Sequence, residues 1–133
     1  MLAAIADTHA AIWYLFSDAR LGREASACIE ETIDNGDHIG ISAISLAEMV
    51  YLIEKKRIPV NALEDLLAAI ADPKTVLQEV PLDARIAAKM TEVARDDIPD
   101  LPDRVIAATA QFFGIPVLSR DRRIQSSTIK TVW

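Results

Sequence analysis

Short apolar runs alternate along this chain with longer segments in which apolar residues return every three or four positions, and the two periods predict strands and helices in turn. Leu2 to Ala6 is uninterrupted apolar and reads as a buried first strand, followed by a short helix from Thr8 to Phe16 that Ser17-Asp18 ends. From about Gly22 to Asn35, Ala25, Ile29 and Ile33 fall at helical spacing, and Asn35-Gly36 supplies the stop. His38 to Ser42 is a second strand, and Ser45 to Lys56 a helix with Leu46, Met49, Val50 and Ile53 on one face. Asn61 to Ala71 carries the stripe Leu63, Leu66, Leu67 and Ile70, closed by Asp72-Pro73.

Val76 to Val80 reads as a third strand, Asp83 to Arg95 as a helix with Ile86, Ala87, Met90 and Ala94 inward, and Asp96 to Pro102 as a polar loop. Asp103 to Phe113 is a helix with Ile106, Ala110 and Phe113 on one side and Gly114 as its stop; Ile115 to Ser119 is a fourth strand and Thr128 to Val132 a fifth. Strands alternating with helices predict an α/β fold around a mostly parallel sheet of four to five strands. With no repeat, low-complexity tract or linker, residues 1–133 read as a single domain.

Composition narrows the class. The apolar fraction of 51% and the charged fraction of 26% suit a globular protein, and Asp7 and His9 interrupt the apolar N-terminus, so neither a signal peptide nor a membrane span is expected. A lone cysteine, Cys28, makes no internal disulfide, which fits a reducing cytoplasm, and it reads as core packing. The net charge of −6 lacks the basic balance usual in nucleic-acid binders, but it is unevenly spread. Residues 1–100 hold 9 basic and 18 acidic side chains, whereas residues 101–133 hold 5 basic and 2 acidic ones. Charge alone leaves a phosphodiester substrate open. Trp13, Tyr14 and Phe16 give the short first helix more aromatic surface than it can bury, so part of it is expected under a partner.

The candidate chemistry lies in four carboxylates at element boundaries. Asp7 ends the first strand, Glu48 opens the helix after the second, Asp103 opens a helix behind Pro102, and Asp121 follows the fourth strand. Ligands bind at the carboxyl ends of parallel strands, and four acids gathered there would repel one another without a cation between them. Each also has a plain structural reading. Asp7 caps the helix that Thr8 begins; Ser45-Leu46-Ala47-Glu48 is a capping box; Asp103 suits a helix dipole; Asp121 is a surface charge among arginines. Those readings do not explain why all four fall on one edge.

Clustered carboxylates suit hydrolysis assisted by Mg²⁺ or Mn²⁺, hard cations that take oxygen ligands and activate water. His9 and His38 are the only histidines and read as structural or surface groups. Zinc spacing, a G-x-x-x-x-G-K-[ST] loop and G-x-G-x-x-G are all absent, which removes the main support for zinc, nucleoside-triphosphate and dinucleotide readings.

Four segments, in order and at the right spacing, resemble the PIN-domain ribonucleases, and within them the VapC-type toxins of type II toxin–antitoxin pairs. They are Ile5-Ala6-Asp7-Thr8-His9-Ala10, Ser42-Ala43-Ile44-Ser45-Leu46-Ala47-Glu48, Asp103-Arg104-Val105-Ile106-Ala107-Ala108-Thr109-Ala110 and Val117-Leu118-Ser119-Arg120-Asp121-Arg122-Arg123. The resemblance spans nearly the whole chain. It implies an α/β/α sandwich and a Mg²⁺- or Mn²⁺-dependent endoribonuclease acting on RNA, with Asp7, Glu48, Asp103 and Asp121 as catalytic metal ligands. By the same resemblance Thr8 and Ser119 orient the first and last aspartates and Ser45 supports Glu48. It also implies a cognate VapB-type antitoxin and a homodimer.

Where the family commonly has Thr, Ser119 stands here; where some members have a further acid, Arg123 and Ile124 stand, leaving Asp100 as the nearest spare carboxylate. Arg104, Arg120, Arg122 and Arg123 are candidates either to meet RNA phosphates or to offset the acids. Two alternatives remain at this stage. One is a catalytically inactive PIN-like binding module whose acids serve as caps. The other is a phosphoacceptor signalling domain, disfavoured because Thr8 follows Asp7 where a paired acid is wanted and Arg120 stands where a lysine is wanted.

Overall fold

The computed structural model describes residues 1–133. Its strands are β1 (Leu2–Ala6), β2 (His38–Ser42), β3 (Leu77–Val80), β4 (Val117–Leu118) and β5 (Thr131–Val132). All pair in parallel in the order β3-β2-β1-β4-β5, with Ile5 of β1 opposite Gly40 of β2 and Val117 of β4. The helices are α1 (Thr8–Leu15), α2 (Arg23–Asp34), α3 (Ala43–Glu54), α4 (Ala62–Ala71), α5 (Ala84–Lys89), α6 (Leu101–Phe113) and α7 (Arg122–Gln125). None is long and apolar enough to cross a membrane.

Alternation along the strands sends successive side chains to opposite faces of the sheet. Ala4, Ala6, Ile39, Ile41, Leu77 and Leu118 join one core with Trp13 of α1, Ile29 of α2, Met49 of α3 and Leu66 of α4. Ile5, Val80 and Val117 join the other with Ile86 of α5, Ile106 of α6 and Ile124 of α7. The result is the three-layer α/β/α sandwich that the resemblance implies. Because β1 is central, the chain leaves it toward β2 on one side and returns beside it as β4 on the other, which opens a crevice past the carboxyl ends of β1 and β4.

Four local details differ from the sequence reading, each because a side chain takes a backbone group. First, α3 begins at Ala43, not Ser45: the Ser42 hydroxyl accepts from the Ile44 amide at 3.2 Å, so the helix springs directly from β2 and the capping box does not form. Second, α6 begins at Leu101 because Asp100, rather than Asp103, is its N-cap, accepting from the Asp103 amide at 3.2 Å. Third, the helix expected to reach Arg95 ends at Lys89 and tightens into a 3₁₀ turn over Met90–Glu92. Arg104 donates to the carbonyls of Met90 and Val93 at 2.9 and 3.1 Å, sharing the first with the Val93 amide and satisfying the second past the end of the turn; Ala87 and Ala94 stay exposed. Fourth, Asp121 caps the unforeseen helix α7, which buries Ile124. Ile33, Leu67 and Phe113, expected inward, are substantially exposed.

The aromatic crowd on α1 is partly covered by the chain itself. Trp133, just past β5, meets Trp13 edge-on with ring centroids 5.7 Å apart, which leaves Trp13 5% exposed. The Trp133 carbonyl accepts from the amides of Glu24 and Ala25 at 2.9 and 3.1 Å, satisfying orphan donors at the start of α2. This docking needs Gly22: a Cβ there would lie 2.2 Å from that carbonyl oxygen. Gly22→Ala is therefore expected to cost about 1–3 kcal/mol by overpacking, read as a lower urea midpoint with loss of Trp133 burial by fluorescence. An unchanged midpoint would refute the docking constraint.

Candidate active site

The carboxyl-end crevice opens as a cavity of about 890 Å³, and its wall carries Asp7, Glu48, Asp100, Asp103 and Asp121. Three arrive as helix caps and two from within helices. Asp7 follows β1 and caps α1, its Oδ1 accepting from the Ala10 amide at 2.8 Å. Asp121 follows β4 and caps α7, its Oδ1 accepting from Arg123 and Ile124 amides at 2.9 and 3.3 Å. Glu48 projects from α3, one turn past fully buried Ser45. Asp103 stands in the first turn of α6, beside its cap Asp100.

Buried hydroxyls hold two of these acids, with a division of labour that differs from the one the resemblance implies. Thr8, expected to orient Asp7, instead donates to Glu48 Oε1 at 2.5 Å. The Thr8 and Ser45 hydroxyls lie 2.9 Å apart; with Thr8's single proton engaged by Glu48, Ser45 supplies the proton of that contact and so supports Glu48 through Thr8. Ser119 sits between the two strand-end aspartates: its hydroxyl accepts from the Asp121 amide at 3.0 Å and acts on the Asp7 carboxyl, opposing the rise that burial causes there.

No cation neutralises the group. Ion pairs form at Met1–Asp37, Arg20–Asp18, Arg85–Asp83 and Lys89–Glu92, none of which involves these five acids. Burial, then the charges of Asp100, Asp121, Glu48 and Asp7, push the Asp103 carboxyl up to about 7. Burial also raises Asp7, against hydrogen bonds from Ser119 and the Ala10 amide.

Oxygen donors and unneutralised negative charge fit a hard divalent cation in kind. Capping and ligation are compatible, since Glu48 Oε2 and Asp121 Oδ2 carry no capping or orienting bond and Asp103 accepts none. No three acidic, histidine or cysteine side chains stand close enough to grip one ion as they lie, so binding one requires the carboxylates to draw together.

Arg120 and Arg123 line the same cavity, whereas Arg122 does not, and Arg104 is spent on the carbonyls described above rather than offered to a ligand. His9, Trp13, Arg20 and Pro99 also line the cavity, although nothing in the sequence marks them as site residues. No pattern in the chain links Arg20 to the strand ends; only the fold brings it there.

Known proteins agree with this architecture. The family model of the PIN domain matches residues 4–128. The chain is 29% identical over 126 residues to Ribonuclease VapC22 of Mycobacterium tuberculosis, covering 95% of this chain and 92% of that protein. Its fold is similar to chains in two solved structures, with 98% of this chain and 97% of theirs covered in each case. One is VapBC2 from Rickettsia felis bound to a promoter DNA fragment, with a TM-score of 0.70 and 16% identity. The other is a toxin–antitoxin complex from Klebsiella pneumoniae, with a TM-score of 0.65 and 23% identity.

The acid cluster has a measurable consequence for stability. Asp103 binds its proton more tightly folded, near 7, than at its ordinary 3.8. Its contribution is therefore fully present below about pH 4 and lost as pH rises through about 7. In EDTA, urea midpoints should fall across that window, and Asp103→Asn should remove much of the fall and be the more stable protein at about pH 8. A variant that follows the native pH profile would show that the cluster does not strain the fold.

Proposed function

The chain belongs to the PIN-domain family, and we propose that it is a Mg²⁺- or Mn²⁺-dependent endoribonuclease, the toxin of a type II toxin–antitoxin pair. The observation that carries this reading is the meeting of Asp7, Glu48, Asp103 and Asp121 in one cavity with no cation paired to any of them. These four side chains would hold the ion. A divalent ion held there would supply a water of lowered pKa and charge stabilisation of the leaving oxygen, the chemistry for hydrolysing an RNA phosphodiester to a 5′-phosphate end. Thr8 and Ser45 keep Glu48 aimed, Ser119 keeps Asp7 aimed, and Arg120 and Arg123 meet RNA phosphates at the rim.

Similarity to a protein named as a ribonuclease supports the activity, and the fold's likeness to toxin–antitoxin complexes supports a VapB-type antitoxin as partner. A homodimer is part of the same proposal, with Val50, Tyr51 and Leu67, exposed on α3 and α4, as apolar surface for the second copy. The phosphoacceptor alternative lacks its lysine, as none lines the cavity.

Asp7→Asn is expected to abolish RNA cleavage and growth arrest while circular dichroism and melting show a folded protein; cleavage retained by a nuclease-free preparation would defeat the assignment. Calorimetric titration with Mg²⁺ should show millimolar or tighter binding at about pH 8, and its absence would favour the inactive binding module. Thr8→Val should cost about 10–100-fold in metal affinity or activity, because Glu48 loses its orienting donor. Thr8→Ser, which keeps the hydroxyl, should stay near native; equal loss in both variants would mean that the hydroxyl is not what matters.

A further inference from the structure

The cavity has two unlike walls. Besides the carboxylates, it holds the guanidinium of Arg120 over the Trp13 ring, 4.4 Å from its centroid, and that of Arg20, 5.0 Å from the same ring. Both arginines line the cavity with the acids, yet neither pairs with any of them. Arg20 is tied to Asp18 through Nε at 3.1 Å and Nη2 at 2.7 Å, and the Asp18 amide in turn bonds the Trp13 carbonyl at 2.8 Å. Arg120 makes no side-chain hydrogen bond and no ion pair, although Asp121 follows it in the chain.

A free guanidinium beside uncompensated carboxylates would ordinarily collapse onto them. Here a buried indole, backed by Trp133, competes for it: the guanidinium rests over the ring and no protein acceptor takes its N–H groups. A set of donors with no protein acceptor suits an oxyanion that accepts two parallel N–H bonds, and on a ribonuclease's substrate that oxyanion is a backbone phosphate.

We propose that Trp13 is a positioning residue that holds Arg120, with Arg20 beside it, as a clamp for a backbone phosphate of single-stranded RNA next to the phosphodiester at the carboxylates. The proposal rests on the ribonuclease reading and deepens it by separating the two walls: the acids act on one phosphate while the Trp13 wall grips a neighbour and fixes the strand's register. Arginine is required at position 120, since a lysine ammonium keeps the charge but neither stacks as a plane nor binds two oxygens in parallel.

The test uses the full chain and a fluorescein-labelled, mixed-sequence single-stranded RNA. Binding is measured by anisotropy in Ca²⁺ over a range of salt, and cleavage in Mg²⁺. Arg120→Ala should weaken binding about tenfold and lower the slope of log K against log salt by about 0.7, the value of one phosphate contact. Arg120→Lys should restore the slope but not the affinity, and should raise KM with little change in kcat. Trp13→Phe, which preserves an aromatic core, should weaken binding several-fold with a native melting temperature.

A merely structural Trp13 would leave KM and salt slope untouched in any folded variant. Native affinity and KM in both Arg120→Lys and Trp13→Phe, or no RNA binding by the native chain, overturns the clamp. Cleavage with unchanged KM in Arg120→Ala leaves the ribonuclease reading standing and removes the clamp. Arg120-dependent binding without cleavage does the reverse.

Discussion

Uncompensated negative charge in the crevice between β1 and β4 is the constraint on which the rest of this structure depends. Five acids line one cavity without a paired cation, and Asp103 shows the cost in its carboxyl, held up to about 7 by burial and its neighbours' charges. The parallel sheet both creates and moderates the problem. By running every strand in one direction it delivers Asp7 and Asp121 to the same edge, and by returning through helices it also delivers helix N-termini there. Asp7, Asp100 and Asp121 cap α1, α6 and α7, so backbone amides and the positive ends of helices offset part of the repulsion.

The same bonds that make the acids tolerable also aim them. A capping aspartate spends one oxygen on amides and has another to offer, so structural and functional readings of Asp7 and Asp121 do not compete. Glu48 is the exception: with α3 capped by Ser42 it has no capping role, and the buried Thr8–Ser45 pair fixes it instead. Two hydroxyls enclosed between α1 and α3 make sense chiefly as a mount for that carboxylate, since a buried polar pair gains little over an apolar one of similar shape.

In the same cavity, positive charge rests on an indole and pairs with none of the acids. Trp13 is in turn held by Trp133, whose carbonyl caps α2 against Gly22, so the far end of the chain supports a wall built from residues 13, 20 and 120. The cavity is thus electrostatically divided. A neutralised site would have needed only arginine and aspartate in contact.

The alternating strands and helices, the parallel α/β class and the placing of Asp7, Asp103 and Asp121 at element boundaries can all be read along the chain, because hydrophobic period, chain-turn chemistry and the PIN-like segments are local properties that short stretches carry whole. Leu2–Ala6 and His38–Ser42 even matched their strands at both ends. Helix starts were less legible. Ser42 and Ser45, or Asp100 and Asp103, are equally good caps on paper, and only packing against the sheet decided which one meets an amide. Only the tertiary structure assigned Thr8 to Glu48, turned Arg104 away to the Met90 and Val93 carbonyls and set Arg20 and Arg120 over Trp13. Those contacts join residues 7 to 107 positions apart, and their energies depend on burial and on mutual distance, quantities that exist only once the chain has closed.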